Sequence, residues 1–429
     1  MLALVPEAAL FYCMHLPVHE VRYNSTYGVV RSEEKYMVVV AGDEKIDISV
    51  HEVVKNGSVK TLSTFSGCDC GESKLDALFL SLLADIVGKD VMDSFSSTHK
   101  YDLDDLLRGF KVKKKKIRPE LNEHVSILVP ASLRETYFKK NPGKRTTNVI
   151  SLFKYKDQVT WRCDKLRMNA HIVKALFDRC CKQIVDHLKE LFMHPAVKEV
   201  SSILLVGEFA ESPMLQTAIR EAFNSKNVII PEDPSLAVIK GAALFRHQPG
   251  KTSGTSKSFF LVAAIDFGTT FSGYAFSFRH DYMKDPLNIS TFNWCAGSGG
   301  LVSLKTSTCV LFDPTGKFYS FGYGAEEKYS NLALDDEHHD WFYFYRFKMM
   351  LYNKKDLTRE TLIEDDKGKK IEAIKVFSSA IGYIKDQLLN HCKKQTTGIE
   401  ESDVVWVLTV PAIWNDNSKQ FMREAAEKV

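Results

Sequence analysis

The feature that most constrains this chain is a strand that ends in a Gly-Thr-Thr turn. An apolar run over residues 259–264 leads through Asp266 into the turn at 268–270, and a second apolar stretch follows at 274–278. Two short apolar runs on either side of a tight turn predict a β-hairpin.

The residues of this turn are suited to gripping a phosphate. Gly268 lets a phosphate approach the backbone, and the hydroxyls of Thr269 and Thr270 donate hydrogen bonds to it together with the turn amides. Asp266, at the end of the first strand, is placed to hold the water shell of Mg²⁺. The alternative interpretation is a plain hairpin whose turn consists of small residues.

Composition excludes several classes of protein. The chain has 429 residues, 45% of them hydrophobic and 26% charged, which is typical of a soluble globular protein of two to three domains. A net charge of +3 indicates no obligate polyanion, so we expect no nucleic-acid partner. Because no apolar run reaches the roughly 20 residues that span a bilayer, we expect no membrane partner. The nine cysteines follow no regular framework, which favours a reducing, cytoplasmic location.

The order of elements along the chain predicts an α/β architecture. Apolar strand patterns alternate with amphipathic helix patterns on both sides of a polar stretch at 248–257, which is rich in Gly and Ser and predicts a linker. Residues 36–50 repeat the strand, turn and strand layout of 259–278. A fold of two similar halves, each with a phosphate hairpin, explains this repetition.

Five sequence blocks together resemble the actin-like ATPase domain of the 70-kilodalton heat-shock proteins. The match is best to the divergent heat shock 70 kDa protein 12-like branch. The blocks are residues 265–274, 407–414 (Val-Leu-Thr-Val-Pro-Ala-Ile-Trp), 6–9 (Pro-Glu-Ala-Ala), 204–213 and 233–243. The resemblance implies a two-lobed, ribonuclease H-like fold with ATP or ADP and Mg²⁺ in an interlobe cleft.

The blocks occur in permuted order relative to the family. Residues 258–429 resemble the family's front half, which belongs to the first lobe, and residues 36–247 resemble its back half in the second lobe. Residues 1–35 resemble the crossover helix and the segment that completes the first lobe. Two explanations remain open: a circular permutant, or the back of one gene copy joined to the front of a neighbouring copy. The family's substrate-binding region has no counterpart here, so a client or protein partner stays unknown.

Several residues match the family's functional positions. The resemblance assigns phosphate contacts to Asp266, Gly268, Thr269, Thr270 and Phe271, with Asp266 facing Mg²⁺ through water. It places the catalytic lysine at Lys348, for which a solvated lysine is the alternative. The remaining matched positions, on the second phosphate loop, the adenosine loop and the ribose-facing helix, are Gly42, Asp47, Gly207, Lys114 and Lys115.

The basic run at 111–118 has three interpretations. It is a nuclear or nucleic-acid patch, a solvated helix face, or the family helix that embraces ribose and adenine through Lys114 and Lys115. The solvated face is the preferred interpretation.

The second phosphate loop departs from the family's pattern. Val40 stands where a metal-facing acid is expected, and Asp43 and Glu44 replace glycines. A like-charge contact with phosphate at about 4 Å and an effective dielectric near 20 costs roughly 4 kcal/mol. Val5 also replaces an acid, and Glu208 replaces a glycine in the adenosine loop. We therefore expect weak or vestigial nucleotide binding, doubtful hydrolysis and an interaction role related to chaperones or stress. The alternatives are an active ATPase that uses Asp43 or Asp47 as a substitute acid, and a non-functional product of a rearranged gene copy.

Overall fold

The computed structural model describes residues 1–17, 30–55, 57–65, 67–143, 158–247, 259–296, 301–354, 357–365, 367–396 and 398–429. The predicted linker at 248–257 lies outside these residues, as do residues 18–29 of the predicted segment 1–35. Within the described parts the secondary structure alternates between strands and helices, so the predicted mixed α/β architecture is confirmed.

The strands and helices are numbered in chain order. The strands are β1 (Leu2–Leu4), β2 (Lys35–Ala41), β3 (Ile46–Val53), β4 (Val59–Phe65), β5 (Val125–Leu128), β6 (Val159–Arg162), β7 (Lys165–Met168), β8 (Ser202–Val206), β9 (Asn227–Ile229), β10 (Leu261–Phe267), β11 (Phe271–Phe278), β12 (Ser290–Thr291), β13 (Trp294–Ala296), β14 (Leu301–Ser303), β15 (Thr306–Ser307), β16 (Cys309–Phe312), β17 (Phe318–Phe321), β18 (Phe342–Tyr345), β19 (Leu362–Glu364), β20 (Lys370–Glu372) and β21 (Val404–Val410). The helices are α1 (Val5–Cys13), α2 (Ser73–Val87), α3 (Lys89–Thr98), α4 (Lys100–Lys114), α5 (Ala131–Lys140), α6 (Ala170–Phe192), α7 (Pro213–Ala222), α8 (Ala237–Leu244), α9 (Arg279–Lys284), α10 (Tyr323–Leu334), α11 (Met350–Asn353), α12 (Ala373–Gln395) and α13 (Asp416–Glu427).

The first large sheet has the strand order β1–β21–β10–β11–β12. Its centre is the antiparallel hairpin β10–β11, in which every residue of β10 is buried, as expected for a strand covered on both faces. β21 runs parallel to β10, and β1 runs parallel to β21 with Leu2 opposite Leu408. The first residues of the chain therefore join a sheet whose other strands come from residues 261–410.

The second large sheet has the strand order β4–β3–β2–β8–β9. Its hairpin β2–β3 turns at residues 42–45, and β8 runs parallel to β2 with Val206 opposite Val40. Both sheets thus combine an antiparallel hairpin with a strand parallel to the hairpin's first strand. This arrangement brings each hairpin turn to the carboxyl end of parallel strands, where ligands bind in open α/β sheets.

Helices α1 and α8 pack against each other and touch both large sheets. α1 follows β1 of the first sheet, and α8 packs on β10 and β11 of that sheet. The close approach of the two helices is possible because Gly241 has no side chain. A Cβ at this position would lie 1.8 Å from the carbonyl oxygen of Ala8. Their apolar faces also join the core of the second sheet through Leu10, Tyr36 and Leu204. None of the helices in the described residues has both the length and the apolar character needed to cross a bilayer.

Candidate functional site

The turns of the two hairpins line a common cavity. Its lining includes Val5, Val40, Gly42, Asp43, Glu44, Lys45, Asp47, Gly207, Glu208, Ser235, Val238, Asp266, Gly268, Thr269, Thr270, Phe271, Lys305, Lys348, Met349, Tyr352 and Pro411. The structure therefore brings together the residues that the sequence singled out on both hairpins, on the loop at 207 and on the segment around 348.

Asp266 is buried at the end of β10, and both of its carboxylate oxygens are bonded. The hydroxyl of Thr409 donates to Oδ1 over 2.6 Å, and the ammonium of Lys305 donates to Oδ2 over 2.8 Å. Burial alone favours the neutral acid, but Lys305 and the two hydrogen bonds outweigh it and hold the pKa of Asp266 below its usual value. Asp266 is therefore a carboxylate that is already neutralised by a fixed cation.

Lys305 connects the first hairpin, through Asp266, to the loop that follows β8, through Glu208. Besides Asp266, its Nζ donates to Oε1 of Glu208 over 2.6 Å. Burial opposes its charge, yet the two carboxylates raise the pKa of Lys305 above its usual value. Glu208, interpreted from the sequence as a lost glycine, thus has a specific partner on the opposite side of the cavity.

Lys348 is buried, with 4% of its surface exposed, so the alternative of a solvated lysine is wrong. Its ammonium donates to the carbonyl oxygen of Phe267 and lies 4.9 Å from the ring centroid of Trp414. Burial lowers the pKa of Lys348 to about 8, although Asp266 and Asp47 favour its charged form. The side chain remains a cation at neutral pH in the wall of the cavity.

The Gly-Thr-Thr turn is occupied by a side chain of the other hairpin. The Thr270 hydroxyl donates to Oδ2 of Asp43 over 2.7 Å. Gly268 is required sterically, because a Cβ there would lie 2.0 Å from the carbonyl oxygen of Phe271. The ammonium of Lys111 lies 3.4 Å from the centroid of the Phe271 ring and forms a cation–π contact with it.

The acidic turn of hairpin β2–β3 is balanced by Arg346. One guanidinium nitrogen lies 3.6 Å from Asp43 Oδ2, and the other lies 3.2 Å from Glu44 Oε1. Arg346 adopts a left-handed backbone with φ of 50°, which a non-glycine residue takes only when its surroundings enforce it. The repulsion of phosphate expected from two bare carboxylates is therefore reduced.

The backbone of the same turn is also engaged. The Gly42 amide donates to the Lys45 carbonyl oxygen over 3.1 Å, and the carbonyl oxygens of Gly42 and Asp43 accept from the amides of Glu72 and Ser73. An amide that closes its own turn does not point at a ligand. This engagement agrees with the loss of the family's glycine run.

Asp47, on β3, is a lining carboxylate with an unsatisfied atom. Its Oδ1 is buried and has no hydrogen-bond partner among the described residues. Burial raises the pKa of Asp47 to about 6, while Lys348 and Lys45 oppose the rise. Such an oxygen calls for a proton, a water or a ligand.

Gly207 holds the loop that follows β8 against hairpin β2–β3. Its φ is 101°, and a Cβ would lie 2.3 Å from the Ala41 carbonyl oxygen, so a glycine is required. Its amide donates to the Pro234 carbonyl oxygen over 2.8 Å.

Lys114 and Lys115 lie outside the main cavity. With Glu208, Phe209 and others they line a second, smaller cavity. Lys114 is buried and lies 3.1 Å from Glu72 and 2.8 Å from Asp76, so the preferred interpretation of a solvated face is wrong for this residue. Lys115 is exposed and lies 2.9 Å from Glu211. The two ammonium groups that the resemblance assigned to ribose and adenine are therefore both engaged in ion pairs with carboxylates.

The groups that line the cavity determine whether Mg²⁺ can bind there. Both oxygens of Asp266 are bonded, Val5 and Val40 offer no ligand, and the ammonium groups of Lys305 and Lys348 lie in the lining. Among the described residues, the cluster of three side chains that could ligate a metal is Asp336, His338 and His339, which does not line this cavity. The residues present do not fit a divalent cation.

Comparison with known proteins identifies the relatives of this chain. No protein-family model matches it. It is 46% identical over 171 residues to human heat shock 70 kDa protein 12B, 45% identical over 172 residues to mouse heat shock 70 kDa protein 12A, and 44% identical over 172 residues to human heat shock 70 kDa protein 12A. Over this stretch the chain is similar to heat shock 70 kDa proteins 12A and 12B. The predicted resemblance is confirmed over 39% to 40% of the chain, a stretch that spans 24% to 25% of each relative.

The mixed α/β architecture and this relationship fit an actin-like ATPase fold. Nothing in the sequence indicated the contacts that Lys305 and Arg346 make in the cavity. Each is a single basic residue next to an apolar or aromatic stretch, so no local signal separates it from a solvated side chain. Their roles depend on partners that are distant in sequence.

Proposed function

We propose that the chain is a divergent, heat-shock-70-like protein that binds adenine nucleotide weakly between two lobes and serves as an interaction factor. In this proposal the first lobe comprises residues 1–35 and 258–429, and the second comprises 36–247. The observation that carries it is the common cavity lined by Gly268, Thr269 and Thr270 from one hairpin and by Gly42 and Asp47 from the other. A cytoplasmic location and a chaperone or stress-related protein partner are part of the proposal.

We propose weak nucleotide binding because side chains that line the cavity already bond to one another. Asp43 accepts the hydrogen bond that Thr270 would donate to a phosphate, and Lys305 is held by Asp266 and Glu208. A nucleotide must displace or share these contacts, and each net hydrogen bond is worth about 0.5–1.5 kcal/mol, more when charged. Binding therefore loses roughly a factor of ten for each 1.4 kcal/mol.

Hydrolysis is proposed to be absent because the groups that would position water are altered. Val40 and Val5 line the cavity where acids are expected, and Lys348 donates to a backbone carbonyl oxygen. One observation favours an active ATPase instead. Asp47 faces the cavity with an unsatisfied oxygen and a pKa of about 6, which suits a general base near neutral pH.

Equilibrium titration with a fluorescent ATP analogue tests the proposal. We expect weak, saturable binding that tightens in a variant with the family's loop restored, which carries Val40→Asp, Asp43→Gly, Glu44→Gly and Lys45→Thr. Unchanged affinity in this variant contradicts the account of the loop. Absence of any binding favours a non-functional product of a rearranged gene copy.

Phosphate release distinguishes the active ATPase. We expect no release above background. Steady release that is abolished by Asp266→Ala and by Asp47→Asn, with the nucleotide still bound, would establish hydrolysis and refute the vestigial site.

A further inference from the structure

We propose that the cavity binds the polyphosphate as a metal-free anion, with the ammonium groups of Lys305 and Lys348 taking the place of a divalent cation. This inference rests on the proposed function and specifies the ionic form of its ligand.

The acids that would attract a dication are already neutralised. Asp266 and Glu208 share the ammonium of Lys305 at 2.8 and 2.6 Å, and Lys348 lies close enough to Asp266 to stabilise its charge. Two carboxylates and two ammonium groups sum to zero net charge. A dication entering this group meets two fixed cations and no carboxylate that lacks a counter-charge.

The remaining acids of the lining are also paired with bases. Asp43 and Glu44 lie against Arg346, and Asp47 lies in the field of Lys348 and Lys45. Val5 and Val40 offer no oxygen. The five described carboxylates of the cavity thus lie against four basic side chains, with Lys305 shared by Asp266 and Glu208 and Arg346 shared by Asp43 and Glu44. A site built for a hard cation offers carboxylates without such fixed cationic partners.

The two lysines are placed to meet phosphate oxygens. An ammonium has three N–H donors, and the described contacts of Lys305 use two of them. Lys305 and Lys348 line the cavity together with Gly268 and Thr269. The Thr269 hydroxyl is a donor that needs no metal, whereas the Thr270 hydroxyl already donates to Asp43. Charge-assisted hydrogen bonds from ammonium groups therefore supply the neutralisation that a metal would supply elsewhere.

The test is the affinity of the full chain for the fluorescent ATP analogue in EDTA and in excess MgCl₂ at matched ionic strength. We expect the affinity in EDTA to equal or exceed the affinity with Mg²⁺. An affinity that falls tenfold or more in EDTA overturns this inference and leaves the proposed function intact. Absence of binding in both buffers refutes both proposals. This comparison needs no variant, so it does not depend on the folding of a mutant.

A variant pair sharpens the result. Lys305→Met is expected to lose at least tenfold in metal-free affinity and to gain a dependence on Mg²⁺, because Asp266 and Glu208 lose their shared cation. Lys317→Met, at an exposed lysine, is the matched control and should behave like the parent chain. A folded Lys305→Met protein with unchanged affinity in both buffers contradicts the inference.

Discussion

The hydroxyl of Thr270 donates a hydrogen bond to the carboxylate of Asp43 over 2.7 Å, although the two residues are 227 positions apart. The contact ties the Gly-Thr-Thr turn of the first sheet to the acidic turn of the second. In the proposed nucleotide site this hydroxyl would donate to a phosphate oxygen, and the Asp43 carboxylate already accepts its hydrogen bond. The cavity therefore contains its own competitor for an anionic ligand.

Removing that competitor should strengthen nucleotide binding. We expect Asp43→Ala to raise the affinity for the fluorescent ATP analogue about tenfold, equivalent to about 1.4 kcal/mol, because it frees Thr270 and removes one negative charge. The gain stays below the roughly 4 kcal/mol of a bare like-charge contact because Arg346 already screens Asp43. Asp93→Ala, at an exposed position on α3, is the control. Equal affinities for the two variants contradict the competition.

Asp47 should make the stability of the fold depend on pH. Its pKa is raised from 3.8 to about 6, so the folded state binds the proton more tightly than the unfolded chain does. Its ionisation therefore destabilises the folded state increasingly as pH rises from about 4 to about 6. We expect Asp47→Asn to add up to about 3 kcal/mol of unfolding free energy at pH 8 and less than about 1 kcal/mol at pH 4. Chemical denaturation at both pH values measures this, with Asp93→Asn as control, and a gain that is the same at both values contradicts it.

Gly207 should be irreplaceable. Gly207→Ala places a Cβ at φ of 101° and 2.3 Å from the Ala41 carbonyl oxygen, so we expect a loss of at least about 1–3 kcal/mol. Gly109→Ala is the matched control, because Gly109 lies inside α4 and an added Cβ meets nothing within 4 Å. The control should gain roughly 0.5–1 kcal/mol in stability. The melting temperatures of the two variants measure this difference in stability. Equal melting temperatures would argue against a tight contact at Gly207.

The two ends of the chain should tolerate being joined. The ends of the chain have the layout of a βαβ unit formed by β21, α13 and β1, because β1 lies parallel to β21. Burial lowers the pKa of the Met1 amino group, and Arg423 and Glu427 of α13 lie close enough to shift that pKa as well. We expect a chain with a Gly/Ser linker from Val429 to Met1 and new ends within 248–258 to melt within a few degrees of the parent. It should also remain monomeric in gel filtration if the parent is. Loss of folding, or a dimer where the parent is a monomer, contradicts pairing of the halves within one chain.

Local sequence patterns predicted where strands form better than they predicted which contacts the side chains make. The hairpin strands at 35–41 and 46–53 and at 261–267 and 271–278 follow from short apolar runs around turn residues. The segment from Lys305 to Phe312 forms two short strands, Thr306–Ser307 and Cys309–Phe312, with a break at Thr308. Lys305 directly precedes the first of these strands and donates to Asp266, a contact that no alternation pattern indicates.

By itself the sequence determined the α/β order of elements, the hairpin around the Gly-Thr-Thr turn at 268–270 and the similarity to the heat shock 70 kDa protein 12 proteins. Apolar periodicity and short motifs are local properties, so the sequence alone contains them. The tertiary structure alone decided that Thr270 meets Asp43, that Arg346 balances the acidic turn and that Lys305 bridges Asp266 and Glu208. The physical reason is that the partner of a charged or polar side chain depends on how distant sheets pack. A lysine buried between two carboxylates has the same local sequence pattern as one surrounded by water.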